Sequence, residues 1–189
     1  MNTLHLFVTE KCTGQCPLCC NRMHPAKDIP FVTRADIESA NLVCITGGEP
    51  FLFRSVINLA VSLKKEFGKK VVGYTSGGAL FDGILDSGGA MVISLLLGFD
   101  GFTVAPKGRY DEAPIASTIE NMKFVTDMLV RGGMSFRFYR GLALEKEDPK
   151  FWDLVSGWPP TKEVIDRRWR KDDWTTEGST YRRIPILFA

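Results

Sequence analysis

Short apolar runs alternate with segments of helical period along most of the chain, and this alternation narrows the possible folds more than any other feature. Leu4, Leu6 and Val8 alternate in "TLHLFVT", and "LVCIT" (Leu42 to Thr46) is a continuous apolar run. "KVVGYTSGG", "GFTVAPKGR" and "MSFRFYRGLAL" complete a set of five strand candidates. Between them, Val56, Leu59, Ala60, Leu63 and Phe67 fall on one face of a helix that should stop at Gly68. Thr33, with Asp36 three residues on, predicts a capping box opening a helix in "RADIES". Ile115, Ile119, Met122, Val125 and Leu129 trace a further stripe closed by "RGG". "ALFDGILDSGGAMVISLLLG" is partly helical, with Gly83, Gly88 and Gly89 interrupting it. This spacing predicts an α/β fold with a mostly parallel sheet. A complete eight-unit barrel takes about 250 residues. The 189 residues here leave room for five or six units, so an open, partial (β/α) barrel is expected.

In such folds ligands gather at the C-terminal ends of the strands. "TEKCTGQCPLCCNR" follows the first strand, "GGEP" the second, "TSGG" the third and "PKGR" the fourth. Residues 145–189 differ from the rest. They hold all four tryptophans, many charges and little periodicity, and read as an extension to a core of residues 1–144. A lid, a substrate clamp or a dimer contact are its candidate roles, the last leaving an oligomer open. "RRIPILFA" is a candidate edge strand. "RRWRK" (Arg167 to Lys171) reads as a solvent-facing charge run, offset by Asp166, Asp172 and Asp173.

A net charge of +2 gives no general attraction to nucleic acid or membrane. "MNTLHLFVTEKC" has no basic n-region and reads as the start of a strand, not a signal peptide. Ala90 to Phe99 is too short for a bilayer span of about 20 residues. A cytoplasmic enzyme-sized domain is expected, and in a reducing compartment clustered thiols bind metal or do chemistry rather than form disulfides. Cys16 and Cys19 have zinc-knuckle spacing and His24 could join them, but no second knuckle exists. "CPLC" alone suits thiol exchange and leaves Cys12 unexplained. Cys12, Cys16 and Cys19 together can wrap three corners of an iron–sulfur cubane, leaving one iron for another ligand. Cys20 and Cys44 read as small buried hydrophobes.

C-x3-C-x2-C after a first strand and "TGGEP" after a second resemble the radical S-adenosylmethionine (SAM) superfamily, over roughly residues 3–141. The resemblance implies that Cys12, Cys16 and Cys19 hold a [4Fe–4S] cluster. SAM would chelate its open iron and be cleaved reductively to a 5′-deoxyadenosyl radical that takes hydrogen from a small-molecule or peptide substrate. It further implies that Gly47, Gly48 and Glu49 line the methionine end of SAM, with Glu49 accepting from its ammonium group. Thr46 would offer a hydroxyl, and Thr75 and Ser76 would meet ribose or substrate. The residue before the third cysteine is usually aromatic in this superfamily and packs near adenine. Here Leu18 supplies an apolar wall. Lys107, Arg137 and Arg140 are candidates for an anionic substrate. A flavodoxin- or ferredoxin-type protein is the electron donor the resemblance implies. Among short members, the run "TGGEP…YTSGG…TVAPKG" is similar to that of 7-carboxy-7-deazaguanine synthases, which form a heterocycle. Activases of glycyl-radical enzymes are the alternative, and a non-catalytic iron–sulfur or zinc module is a third reading.

Overall fold

A computed structural model of the chain describes residues 2–14, 16–17, 19, 25–168 and 178–184. Seven parallel strands form one sheet in the order β6-β5-β4-β3-β2-β1-β7. They are β1 (Thr3–Phe7), β2 (Leu42–Thr46), β3 (Lys70–Thr75), β4 (Gly101–Val104), β5 (Ser135–Arg140), β6 (Thr161–Asp166) and β7 (Ser179–Arg183). The helices are α1 (Arg34–Ser39), α2 (Ser55–Phe67), α3 (Gly78–Asp86), α4 (Met91–Gly98), α5 (Arg109–Asn121), α6 (Lys123–Arg131) and α7 (Pro149–Gly157). Strands β1 to β6 lie side by side in chain order, as in a (β/α) barrel that stays open.

Local chemistry explains the helix ends. Thr33 and Asp36 form the expected capping box: Asp36 N–H donates to Thr33 Oγ1 (3.2 Å) and Thr33 N–H to Asp36 Oδ2 (2.8 Å). Gly68 ends α2 in the left-handed region at φ 62°. The stripe from Ile115 to Leu129 is divided between α5 and α6, because the chain leaves helical geometry at Met122 (φ −119°, ψ 59°).

The two faces of the sheet differ. Leu4, Leu6, Val43, Ile45, Val71, Phe102, Val104, Phe136 and Phe138 point at the helices and join one core with Leu63, Phe81, Ile84, Leu95 and Leu129. On the other face His5, Tyr74, Arg137 and Tyr139 are only half-buried. An all-parallel sheet covered on both faces would bury these positions too. Here one face stays accessible, as in an open barrel.

The segment beyond residue 144 is built into this sheet. Phe151, Trp152 and Val155 of α7, with Trp158, enter the core. Strand β6 continues the sheet beyond β5, and β7 pairs with β1 at the opposite edge, Thr3 facing Ser179 and Phe7 facing Arg183. The last strand thus ends at Arg183, and residues 185–189 of the expected edge strand lie outside the described residues. Of "RRWRK", Arg167 and Arg168 are described and exposed; residues 169–171 are not described. Among the described residues no helix is long and apolar enough to cross a membrane.

Candidate cysteine-loop site

Strand β1 ends at Phe7, and the chain enters the cysteine loop beside the turn that leaves β2. Val8 N–H donates to Thr46 O (3.0 Å), Gly48 N–H to Thr9 O (2.6 Å) and Glu49 N–H to Lys11 O (2.8 Å). The parallel pairing of β1 with β2 is thereby carried past both strands and delivers Cys12 at the rim. This contact is what requires the two glycines. Gly47 sits at φ 129°, and a Cβ there would lie 2.6 Å from Thr9 O. A Cβ on Gly48 would lie 2.0 Å from Lys11 O. Sequence reading assigned these glycines to ligand approach; their nearest neighbours are the backbone of the cysteine loop.

The far side of the turn is locked by Glu49, which is 1% exposed. Its Oε1 accepts from Thr75 Oγ1 (2.7 Å) and Phe51 N–H (3.2 Å). Its Oε2 lies 2.8 Å from Ser76 N and 3.0 Å from Ser76 Oγ. Thr75 and Ser76 are thus brought to Glu49, and all three side chains are engaged with one another. Burial pushes the Glu49 carboxyl above the usual range, opposed by these hydrogen bonds. Thr46 is half-buried at the end of β2. Gly48 is half-exposed and Gly47 buried.

The cysteine loop itself is accessible. Cys12 is exposed, while Cys16 and Cys19 are half-buried, and none of the three is in a disulfide. Gly14 N–H donates to Cys12 Sγ (3.4 Å). A Cβ on Gly14 would lie 3.6 Å from Cys16 Sγ, 3.8 Å from Cys12 Sγ and 3.8 Å from Lys107 Cγ. Gly14 therefore leaves a gap that both sulfurs and the lysine stem border. Partial desolvation pushes the Cys12 thiol up, against the Gly14 N–H; Glu49, Cys19 and Asp111 add to the rise. Desolvation likewise raises Cys16, and Lys107 lowers it. Among the described residues no three His, Cys, Asp or Glu side chains are already closed around a common metal position. The donor set nonetheless fits a thiolate-bound cluster: three thiols on one short loop, within electrostatic range of each other, two of them bordering a gap that a side chain at Gly14 would fill. Leu18, Cys20 and His24 lie outside the described residues.

Lys107, at the end of the β4 loop, is thus brought to the cysteine loop. Arg137 and Arg140 diverge. Arg137 lies on the open face and is ion-paired with Glu163 across the β5–β6 register. Arg140 sits over the ring of Trp152 (6.0 Å) and reaches Glu147 (3.5 Å), on the helix side.

Sequence reading missed Asp111. It is 5% exposed in the first turn of α5. Its Oδ2 accepts from Lys107 N–H (2.8 Å), and its Oδ1 from Gly78 N–H (3.3 Å) and Ser76 Oγ (2.8 Å). One carboxylate thereby ties the loops after β3 and β4 together. The available signal was its position three residues after Gly108, where an acidic side chain caps the helix start. On the open face, His5 stacks on Tyr181 at 4.6 Å. Burial raises the Cys44 thiol to about 12, against a hydrogen bond with Tyr74. A cavity of about 270 Å³ is lined by Thr13 of the cysteine loop together with Phe51, Ile57, Asp82 and Met91; neither Glu49 nor Lys107 lines it.

A scan against protein-family models finds none that matches this chain, and no curated protein matches it.

Proposed function

We propose that this chain is a radical SAM enzyme of the cytoplasm, in which Cys12, Cys16 and Cys19 hold a [4Fe–4S] cluster beside a SAM site at the strand ends. One observation carries the reading: the three-cysteine loop is hydrogen-bonded through Thr9 and Lys11 to the GGE turn, at the rim of an open parallel α/β sheet. When bound, the cluster and SAM would supply the one-electron cleavage of a sulfonium C–S bond. The chain's own residues hold and orient. Gly48 seats the cysteine loop on the turn and is the half-exposed part of it. Lys107 sets a cation beside Cys16 and suits a carboxylate or phosphate. His5, Tyr74 and Arg137 give the open face polar groups for a small-molecule or peptide substrate, and a heterocycle-forming reaction is one fit. The exposed run from Lys11 to Thr13 offers a flavodoxin- or ferredoxin-type donor a short path to the cysteines.

A non-catalytic metal-binding module is the second reading. It is favoured by Glu49, whose oxygens are already engaged by four polar atoms of the protein. Anaerobic reconstitution with iron and sulfide, then dithionite and SAM, separates the two. The enzyme reading expects 5′-deoxyadenosine from wild type and none from Cys12→Ala, Cys16→Ala or Cys19→Ala. A stable, reducible cluster that leaves SAM intact would favour the module.

A further inference from the structure

Ser76 stands between two carboxyl groups. Its Oγ is 3.0 Å from Glu49 Oε2 and 2.8 Å from Asp111 Oδ1. A serine hydroxyl carries one hydrogen and can donate it to one of them. The surrounding hydrogens are already committed. Thr75 Oγ1 and Phe51 N–H serve Glu49 Oε1, Ser76 N–H serves Oε2, and Gly78 and Lys107 N–H serve Asp111. Glu49 is 1% and Asp111 5% exposed, and neither has a salt-bridge partner among the described residues. Two ionised carboxylates here would leave one short O···O contact without a hydrogen, and two like charges out of water.

We propose that this network keeps one extra proton at neutral pH, carried on Glu49 Oε2 and donated to Ser76 Oγ, with Ser76 donating in turn to an ionised Asp111. Every contact is then a hydrogen bond with its own hydrogen. Burial pushes the Glu49 carboxyl in the same direction. Asp111 is a positioning residue: it acts on Glu49 through Ser76. The charged or titratable groups facing the network are Cys12 from the cysteine loop, Asp82 from α3 and Glu112 from α5, the last two through Asp111, while the Lys107 cation acts on Cys16. The functional consequence rests on the radical SAM reading. A neutral Glu49 places one negative charge, not two, behind Cys12, and lowers the repulsion that thiolates gathered around a cluster would meet.

Infrared spectra of the apo-protein at neutral pH, in H2O and D2O, test this. A protonated-carboxyl carbonyl band that shifts in D2O is expected in wild type and lost in Glu49→Gln. Carbon-13 labelling of glutamate places the band on a glutamate without any substitution at Glu49, and its persistence in Glu112→Gln excludes Glu112, which is also buried, so a poorly folding Glu49 variant does not block the test. In Asp111→Asn the band should titrate at lower pH, because the neighbouring negative charge is gone. No such band in wild type overturns the proposal. So does a band insensitive to glutamate labelling, which puts the proton on an aspartate, or one whose titration Asp111→Asn leaves unmoved. The apo-protein is used, so failure to cleave SAM leaves this result standing, and absence of the band leaves the SAM reading standing.

Discussion

The loop after β1 and the turn after β2 touch through their backbones, yet they are built in opposite ways. The turn is buried and saturated: Glu49 alone meets four polar atoms, from Phe51, Thr75 and Ser76. The loop is exposed at Lys11, Cys12 and Thr13 and holds thiols that are not in disulfides. If the loop ligates as proposed, the buried turn beneath it would hold it in place while the thiols stay accessible. Rigid support beneath adaptable ligands is the division of labour expected of a binding site.

Breaking the turn should therefore cost far more than altering the loop. Gly48→Ala drives a Cβ to 2.0 Å from Lys11 O, and should cost about 3 kcal/mol in urea unfolding, at the upper end of overpacking effects. It should also displace the cysteines, seen as weaker metal uptake. Glu49→Ala leaves the Thr75 hydroxyl and the Phe51 and Ser76 N–H groups without their acceptor. A loss of about 2 kcal/mol is expected for such buried orphans. A smaller effect follows from pH. The Glu49 carboxyl is raised in the folded state, so its contribution is fully present below its unfolded value and is lost as pH rises through the folded one. Melting temperature from acidic to neutral pH should fall more steeply in wild type than in Glu49→Gln. Gly14→Ala meets only ordinary contacts at 3.6 Å and beyond, and should change stability by less than about 0.5 kcal/mol. Its effect should appear in metal loading, because the added methyl fills the gap between Cys12 and Cys16. Thiol alkylation sharpens the same contrast: native protein should label at exposed Cys12, whereas buried Cys44, its thiol raised to about 12, should react only after unfolding.

Strands β1 to β5 were legible because each carries a buried face that alternation or an apolar run reports. Strand β6 was not, and β7 was anticipated only as an edge strand set later in the chain, in "RRIPILFA". "TKEVID" and "STYRR" are edge strands, half-buried or exposed at every position, so neither carries an apolar signature. The pairing of β7 with β1 joins the two ends of the chain, which no local pattern encodes. The single stripe from Ile115 to Leu129 concealed a break, since a turn at Met122 keeps both helices facing the same core. At the site, the cysteine spacing and the strand-end placement of "GGEP" and "PKGR" could be read directly. The reason for the glycines could not, because it lies in a backbone contact between two loops about 37 residues apart in sequence. Asp111 was hidden because an acid in the first turn of a helix usually needs no further explanation.

If three cysteines on this loop bind a cluster with one iron left for SAM, electron paramagnetic resonance of the reconstituted, dithionite-reduced protein, recorded with and without SAM, will show it. A reduced [4Fe–4S] signal that SAM shifts is expected in wild type and should be missing from Cys12→Ala, Cys16→Ala and Cys19→Ala. A cluster signal indifferent to SAM, or stoichiometric zinc with no cluster, would contradict the proposal.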